Sequence, residues 1–295
     1  MNYNEKINFL IAGAFSNYKR IVSHYIHNRK IYQKYNSITV YDGICNCHWN
    51  GGRPNNPKLN IYSKEIQEQK ELYYKIGWKI GLTFSNPVID LGDQVGNFLL
   101  KEFHKEGNVI ILVNDNLRKY IREKFPKYTL TYSITGGPKN GTLGDEEVFF
   151  YKEKQKIYDT VIPRFEANLD IRLKELDLNK IEILVNDECV YNCQFYKEHY
   201  KKIAEINEKG LQDILSKEEI FNILNCWIKP EESCERIKQD KITYGENYGM
   251  MLEPFNIKRL LDLGVSKFKL QGRDEQTDPL IEDELNKYIV DYNKL

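Results

Sequence analysis

Eight short apolar segments recur along the chain, and most are separated by stretches with helical periodicity. The run Val109 to Val113 is nearly continuous in apolar residues, which is typical of a parallel strand covered on both faces. Strand–helix alternation predicts a parallel sheet, and eight repeats predict a closed (β/α)8 barrel of the TIM type, with a doubly wound open sheet as the alternative. The predicted strands are Phe9–Gly13, Ile38–Ile44, Lys79–Ser85, Val109–Asn114, Thr129–Thr135, Tyr158–Ile162, Ile181–Asn186 and Lys267–Gln271.

Helices are predicted between most of these strands. Apolar spacing, capping residues and helix-stopping residues such as Pro126 and Gly264 set their limits. The sixth connection, Leu169–Leu176, is too short for a full helix. The predicted helices are Glu65–Ile76, Asp93–His104, Asn116–Lys124, Gly144–Lys156 and Asn256–Leu263.

Length and composition suit a single barrel domain spanning residues 1–295. A chain of 295 residues with 41% hydrophobic residues can bury a large core. One connection is much longer than the rest: residues 187–266 separate the seventh and eighth predicted strands and carry four of the six cysteines. A connection of this length usually has a function or a structure of its own. We therefore expect a cysteine-bearing insertion on the barrel.

Charge and hydropathy restrict the setting in which the protein works. Lys plus Arg and Asp plus Glu both number 43, so no net charge draws the chain to nucleic acid. No apolar run reaches the roughly 18 to 20 residues of a membrane helix. The first residues lack the pattern of a secretory signal. We expect a cytoplasmic protein that does not bind a membrane and whose cysteines are thiols or metal ligands.

Active sites of these barrels lie at the carboxyl ends of the strands. The residues that follow the predicted strands are mostly polar, and asparagine is prominent among them. Such a rim favours a polar substrate that accepts and donates many hydrogen bonds. An arginine after two glycines often contacts an anionic group, because its guanidinium presents several donors in one plane. The predicted substrate-binding residues are Arg53, Asn86, Asn114, Asn168, Asn186 and Arg273.

The cysteines after the seventh strand predict a metal centre. Cys189 and Cys193 leave one loop, and Cys226 and Cys234 follow in the same insertion. Four thiolates are the ligands that a [4Fe–4S] cluster needs. One alternative is a zinc ion held by Cys189, Cys193, His199 and one later cysteine. Another is that Cys226 and Cys234 are ordinary thiols.

Three further motifs have both a functional and a structural interpretation. Cys45 and Cys47 could supply a distant ligand or a reactive thiol, or be incidental. His199 lies on a predicted helix, where it could act as an acid or base or simply face solvent. The turn from Trp49 to Arg53 could bind an anion or could serve only as a turn with Trp49 packed beneath it.

Several of these segments together resemble the collagenase-like peptidase family, which includes proteins of anaerobic ubiquinone hydroxylation and of transfer-RNA hydroxylation. The segments are Lys180–Asn186 with Cys189-x3-Cys193 and Glu198-His199-Tyr200, then Glu253-Pro254 ahead of a helix, and Lys267 to Arg273, which is similar to the family's terminal Lys-Ile-Glu-Gly-Arg strand. The family's glutamate in that strand is Gln271 here.

The resemblance implies a barrel with a four-cysteine [4Fe–4S] cluster at its mouth, held by Cys189, Cys193, Cys226 and Cys234. It implies an oxygen-independent hydroxylase or related redox enzyme, with His199 as a catalytic residue that moves protons. The alternatives are a peptidase-like hydrolase and a non-catalytic partner subunit whose metal is structural. The expected partners are a small polar substrate or a modified macromolecule, and a related barrel subunit.

Overall fold

The structure is a computed structural model and describes residues 2–44, 47–51, 60–187, 196–198, 200–201, 204, 250–271 and 281–295. It contains ten strands, of which eight belong to one parallel sheet and two form a short antiparallel pair. The strands are β1 Asn8–Ala12, β2 Ser37–Asp42, β3 Lys79–Phe84, β4 Val109–Leu112, β5 Thr129–Tyr132, β6 Thr160–Val161, β7 Glu182–Leu184, β8 Asn186–Asp187, β9 Met250–Met251 and β10 Lys267–Leu270.

The eight parallel strands form a closed barrel. Their order in the sheet is β6, β5, β4, β3, β2, β1, β10, β7, and every neighbouring pair is parallel. A parallel bridge between Val161 and Ile181 joins the two ends of this sheet and completes the ring. The predicted (β/α)8 barrel is therefore confirmed, and the open doubly wound sheet was the wrong alternative.

Helices follow most strands and cover the outside of the barrel. The sequence prediction missed the first and last of them, and after β6 the chain forms only 3-10 turns, as the short sixth connection predicted. The helices are α1 Tyr18–Tyr32, α2 Lys64–Lys75, α3 Gln94–Glu102, α4 Asp115–Lys124, α5 Asp145–Ile157, α6 Pro254–Leu263 and α7 Ile281–Tyr288.

Side chains of the preceding residue begin several of these helices. Asp93 accepts a hydrogen bond from Gly96 N at the start of α3, and Asn114 accepts from Asn116 N and Leu117 N at the start of α4. These acceptors satisfy amide groups that have no partner inside the helix. Short polar residues at the strand–helix junctions thus both end a strand and start a helix.

Apolar side chains alternate between the two faces of each strand and so form two apolar layers. On β1, Phe9 and Ile11 belong to the layer between the strands and the helices. Leu10 and Ala12, on the opposite face, belong to the layer inside the barrel. The inner layer is completed by Tyr41, Val109, Ile111, Ile134, Ile162, Leu184 and Tyr196. The interior is packed with side chains, so a ligand site is restricted to the mouth.

The predicted insertion begins and ends beside the barrel. β8 and β9 pair antiparallel, with Asn186 opposite Met251 and Asp187 opposite Met250. Leu252 N also donates to Val185 O at 2.8 Å. The chain therefore leaves the barrel at Asp187 and rejoins it at Met250, and α6 is the regular helix before β10.

Candidate functional site at the barrel mouth

A cavity of about 50 Å³ lies at the carboxyl ends of the barrel strands. Its wall combines hydroxyl and amide groups with one lysine and three aliphatic side chains. Residues from six of the barrel strands, or from the turns just after them, meet there because the carboxyl ends of parallel strands point to the same side. The lining residues are Tyr41, Asn50, Thr83, Ser85, Ile111, Ser133, Ile134, Thr135, Leu184, Tyr200, Lys269 and Gln271.

Three charged side chains lie on the inner face of the barrel, one lining this cavity and two beneath it. Lys267 pairs in register with Glu182 on the adjacent strand, and Lys269 is two residues further toward the mouth. Burial raises the pKa of the Glu182 carboxyl, although the two lysines oppose that shift. Burial also lowers the pKa of Lys267, whose ammonium donates to Thr160 Oγ1 at 2.9 Å. The Lys269 ammonium lies 4.4 Å from the centre of the Tyr41 ring, within the range of a cation–π contact.

A second carboxylate, that of Asp42, lies at the end of β2. Asp42 accepts hydrogen bonds from Phe15 N, Ser16 N and Ser16 Oγ, each at 3.0 Å, and from Gly43 N at 2.9 Å. Burial raises the pKa of this carboxyl, whereas these hydrogen bonds favour its charged form and lower it. Asp42 therefore ties the loop after β1 to the end of β2, beside the cavity.

Two of the predicted substrate-binding asparagines hold the loops after β2 and β3. Asn86 is buried, donates to His48 O at 2.7 Å and accepts from Val88 N at 3.0 Å. Asn114 caps α4 and donates to Pro87 O at 2.9 Å. Both amides therefore support backbone at the rim, and their contact with substrate stays a prediction.

The other two asparagines lie at the end of β7. Asn186 donates to Gln271 O at 2.7 Å and accepts from Gln271 N at 2.6 Å, so it fixes the backbone of a cavity residue. Asn168 donates to Leu184 O at 2.8 Å. Its Oδ1 is buried and has no hydrogen-bond partner among the described residues. Substrate contact by these two asparagines also stays a prediction.

The remaining predicted site residues lie outside the described residues. They are Arg53 and Arg273, the predicted catalytic His199, and the predicted ligands Cys189, Cys193, Cys226 and Cys234. Among the residues that the structure does describe, no group of three or more His, Cys, Asp or Glu side chains could hold a metal ion. The predicted cluster and the zinc alternative therefore both depend on the cysteines of the insertion.

Cys47 is described and is fully buried. Its Sγ lies 4.0 Å from Asp93 Oδ1. Burial raises the pKa of this thiol well above its usual value, and the nearby Asp93 carboxylate raises it further. Because the thiolate is the form that attacks electrophiles and binds metals, the structure favours a structural role for Cys47. Trp49 in the same loop is also fully buried, in agreement with the structural interpretation of that turn.

A buried ion pair lies on the β6 side of the mouth. Arg164 contacts Glu166 at 2.7 Å, and both side chains are 1% exposed. The Arg164 guanidinium also lies 4.2 Å from the centre of the Tyr196 ring, and Tyr196 donates to Ile134 O at 2.9 Å. The segment that follows Cys193 is thus attached to the barrel at Tyr196.

The turn at Gly141 covers this ion pair closely. A Cβ atom at Gly141 would lie 2.3 Å from the Glu166 carboxylate, so only glycine fits there. Arg164 also donates to Lys139 O. The glycine-rich segment from Gly136 to Gly141 therefore packs over the Arg164–Glu166 pair.

Sequence reasoning did not identify Lys269, Ser133 and Tyr41 as site residues. A signal was present in the last strand, where Lys267, Lys269 and Gln271 alternate with Phe268 and Leu270. Alternate residues of a strand face the same side. The pattern places these polar residues on one face of the strand, and the covering helices leave the barrel interior as the place for that face.

Comparison with known proteins adds a shared fold. No protein-family model matches the sequence, and no curated protein matches it. The solved structure of the U32 peptidase Mk0906 covers 91% of this chain and 94% of its own chain, with a TM-score of 0.52 and 9% sequence identity. The U32 peptidases are the collagenase-like family. At this identity the likeness shows the fold alone, and it agrees with the barrel that the strand order shows.

None of the helices in the described part of the chain is long and apolar enough to cross a membrane.

Proposed function

We propose that the protein is an iron–sulfur enzyme of the collagenase-like peptidase family, an oxygen-independent hydroxylase or related redox enzyme that works at the barrel mouth. The observation that carries the proposal is the attachment of the cysteine-bearing insertion. The chain leaves the barrel at Asp187, two residues before Cys189, and returns at Met250, with β8 and β9 paired at its base. Both attachment points lie at the carboxyl ends of the strands, where barrel enzymes carry their active sites.

The donor set suits a cluster. Four thiolates from Cys189, Cys193, Cys226 and Cys234 match the ligands of a [4Fe–4S] cluster, and the described residues offer no competing metal group. When bound, the cluster would supply electron transfer to the reaction. The same cysteines, with His199, would suit zinc as the alternative metal.

The described residues would bind and orient the substrate beside this centre. The cavity carries the hydroxyl groups of Thr83, Ser85 and Ser133, which form hydrogen bonds with a polar ligand. Asn186 fixes Gln271 at the cavity edge. Arg53 and Arg273 would contact anionic groups of the substrate, and His199 would move protons.

The test is anaerobic purification of the full chain with iron, sulfide and zinc analysis and a visible absorbance spectrum. We expect about four irons and four sulfides per chain. Cys189→Ser and Cys193→Ser should remove the cluster absorbance. Cys47→Ser is the matched control and should keep it, because Cys47 is buried against Asp93.

Two results would contradict the proposal. Zinc or no metal in the anaerobic protein would exclude the cluster. A cluster retained by both Cys189→Ser and Cys193→Ser would exclude the assigned ligands, and loss of the cluster in Cys47→Ser would show that the loop after β2 supplies a ligand.

The second candidate function is a peptidase-like hydrolase, favoured by the fold shared with the U32 peptidase Mk0906. It predicts that the protein hydrolyses an unstructured peptide without any reductant, and that cysteine substitutions affect folding more than turnover. A cluster-containing protein that forms a stable complex with a related barrel and has no turnover alone would instead identify a partner subunit.

A further inference from the structure

We infer that the cavity at the barrel mouth binds the carboxylate group of a small organic acid, with Lys269, Ser85 and Ser133 as its contacts. The inference names a substrate class for the proposed function and rests on that proposal for the reaction. The binding itself depends only on described residues.

The size of the cavity suits a carboxylate. Its volume is about 50 Å³, and one water-sized probe needs about 10–15 Å³. The cavity therefore has room for a group of several atoms, such as a carboxylate. The aliphatic side chains of Ile111, Ile134 and Leu184 form part of the wall. They keep water away and strengthen electrostatic attraction inside.

The charge of the wall favours an anion. Lys269 lines the cavity and is only 6% exposed to solvent. Beneath it, the inner face carries Lys267 and Glu182. Among the described residues that line the cavity, Lys269 alone carries a charge, and Asp42 is outside that set. An ammonium with three N–H donors attracts a carboxylate and repels a cationic ligand.

Two buried hydroxyl groups supply further donors. Ser85 is 6% exposed and Ser133 is 3% exposed, and both line the cavity. Ser133 Oγ accepts from Thr135 N at 3.3 Å and from Thr135 Oγ1 at 3.1 Å. Within the described part of the chain, neither serine donates its proton to a protein acceptor.

A carboxylate complements these donors. Each serine hydroxyl has one proton to donate to a ligand in the cavity. An ionised carboxyl group has acceptor oxygens only, whereas a carboxamide brings its own N–H donors. Phosphate at neutral pH keeps one or two O–H groups, so it brings donors of its own beside its acceptor oxygens. A carboxylate therefore satisfies the size, the charge and the donors together.

The test is ligand-observed NMR titration of the full chain with acetate and glycolate, with acetamide and inorganic phosphate as comparison probes, at constant ionic strength. We expect both carboxylates to bind more tightly than acetamide or phosphate. Lys269→Met should weaken carboxylate binding about tenfold or more, because it removes a charge-assisted hydrogen bond. Ser85→Ala and Ser133→Ala should each weaken it about threefold to tenfold. Lys64→Met, at a lysine whose side chain is 90% exposed on α2, should change nothing.

Equal carboxylate affinity in Lys269→Met and the unchanged protein would overturn the inference. So would equal binding of acetate and acetamide, binding of phosphate alone, or no carboxylate binding. If Lys269→Met does not fold, the two serine variants decide in its place. Iron and sulfide are measured on the same samples. Carboxylate binding without a cluster would defeat only the proposed function, and a cluster without carboxylate binding would defeat only this inference.

Discussion

Gly96→Ala would test how closely the loop after β2 packs on helix α3. Trp49 is fully buried, and its ring contacts Phe84 edge to face at a centroid distance of 5.3 Å. Its Nε1 donates to Asp90 O at 2.6 Å. A Cβ atom on Gly96 would lie 2.3 Å from Trp49 Cε3 and 2.6 Å from Cδ2. The indole cannot move aside without losing its hydrogen bond and its ring contact.

The expected magnitude combines two opposite effects. Alanine in place of glycine inside a helix stabilises it by about 1 kcal/mol. Overpacking a core costs about 1–3 kcal/mol, and the held indole of Trp49 places this site near the upper limit. We therefore expect Gly96→Ala to lower the free energy of unfolding by about 1–2 kcal/mol. In a Trp49→Leu background the clashing ring atoms are gone, so the same change should be neutral or stabilise by up to about 1 kcal/mol.

The assay is urea unfolding of the four proteins of this double-mutant cycle, followed by far-ultraviolet circular dichroism. The coupling between the two sites should be about 1–3 kcal/mol, within the range of residues in direct contact. Comparing midpoints requires equal slopes in all four proteins. Gly96→Ala as stable as the unchanged protein, or equally destabilising in both backgrounds, would refute this packing argument.

Three further predictions concern buried or paired charged groups. Arg164→Met should destabilise the fold by about 3–5 kcal/mol, because it breaks a buried ion pair by removing one partner. Adding Glu166→Gln should recover part of this loss in urea unfolding, and no loss in Arg164→Met would contradict the prediction. Lys34 lowers the pKa of Asp291 to about 2, so this pair's stabilisation is present above the unfolded pKa of about 3.8 and lost as pH falls through about 2. The gap between unfolding midpoints of Asp291→Asn and the unchanged protein should therefore shrink between pH 4 and pH 2, and a constant gap would disprove the assignment. Cys47 should resist iodoacetamide in the folded protein at pH 8 and react after unfolding, as mapped by mass spectrometry, since burial raises its pKa; alkylation of the folded protein would contradict that.

The sequence alone determined the eight strands of the barrel and five of the seven described helices. Runs such as Val109–Leu112 are apolar on both faces, which few structures other than a covered parallel strand can satisfy. Gly264 ends α6 in a left-handed conformation, as its position after an apolar helix predicted. The predicted strand Thr129–Thr135 was too long, because Ile134–Gly136 turns into a 3-10 helix. The end of each strand depends on where the barrel curves. The local sequence pattern contains no information about that curvature.

The rim asparagines show where local inference stops. Their place after the strands was predictable, because short polar residues end strands and cap helices. The distant hydrogen-bond partners of these asparagines were not predictable from the sequence. Asn86 bonds the carbonyl of His48, and Asn186 bonds both backbone groups of Gln271. These partners are distant in sequence and become neighbours only when the strands align in register.

The tertiary structure alone decided which polar groups share the mouth. Ser85 follows β3, Ser133 follows β5 and Lys269 lies on β10, and no local pattern joins them. The sequence could indicate that Lys269 shares a strand face with Lys267, since alternate residues point the same way. It could not indicate that this face looks into the barrel beside two serines. Lys269 and the two serines come together because the sheet closes between Val161 and Ile181. Closing the ring sets the tilt and the register of the strands, and these bring distant strand ends around one cavity.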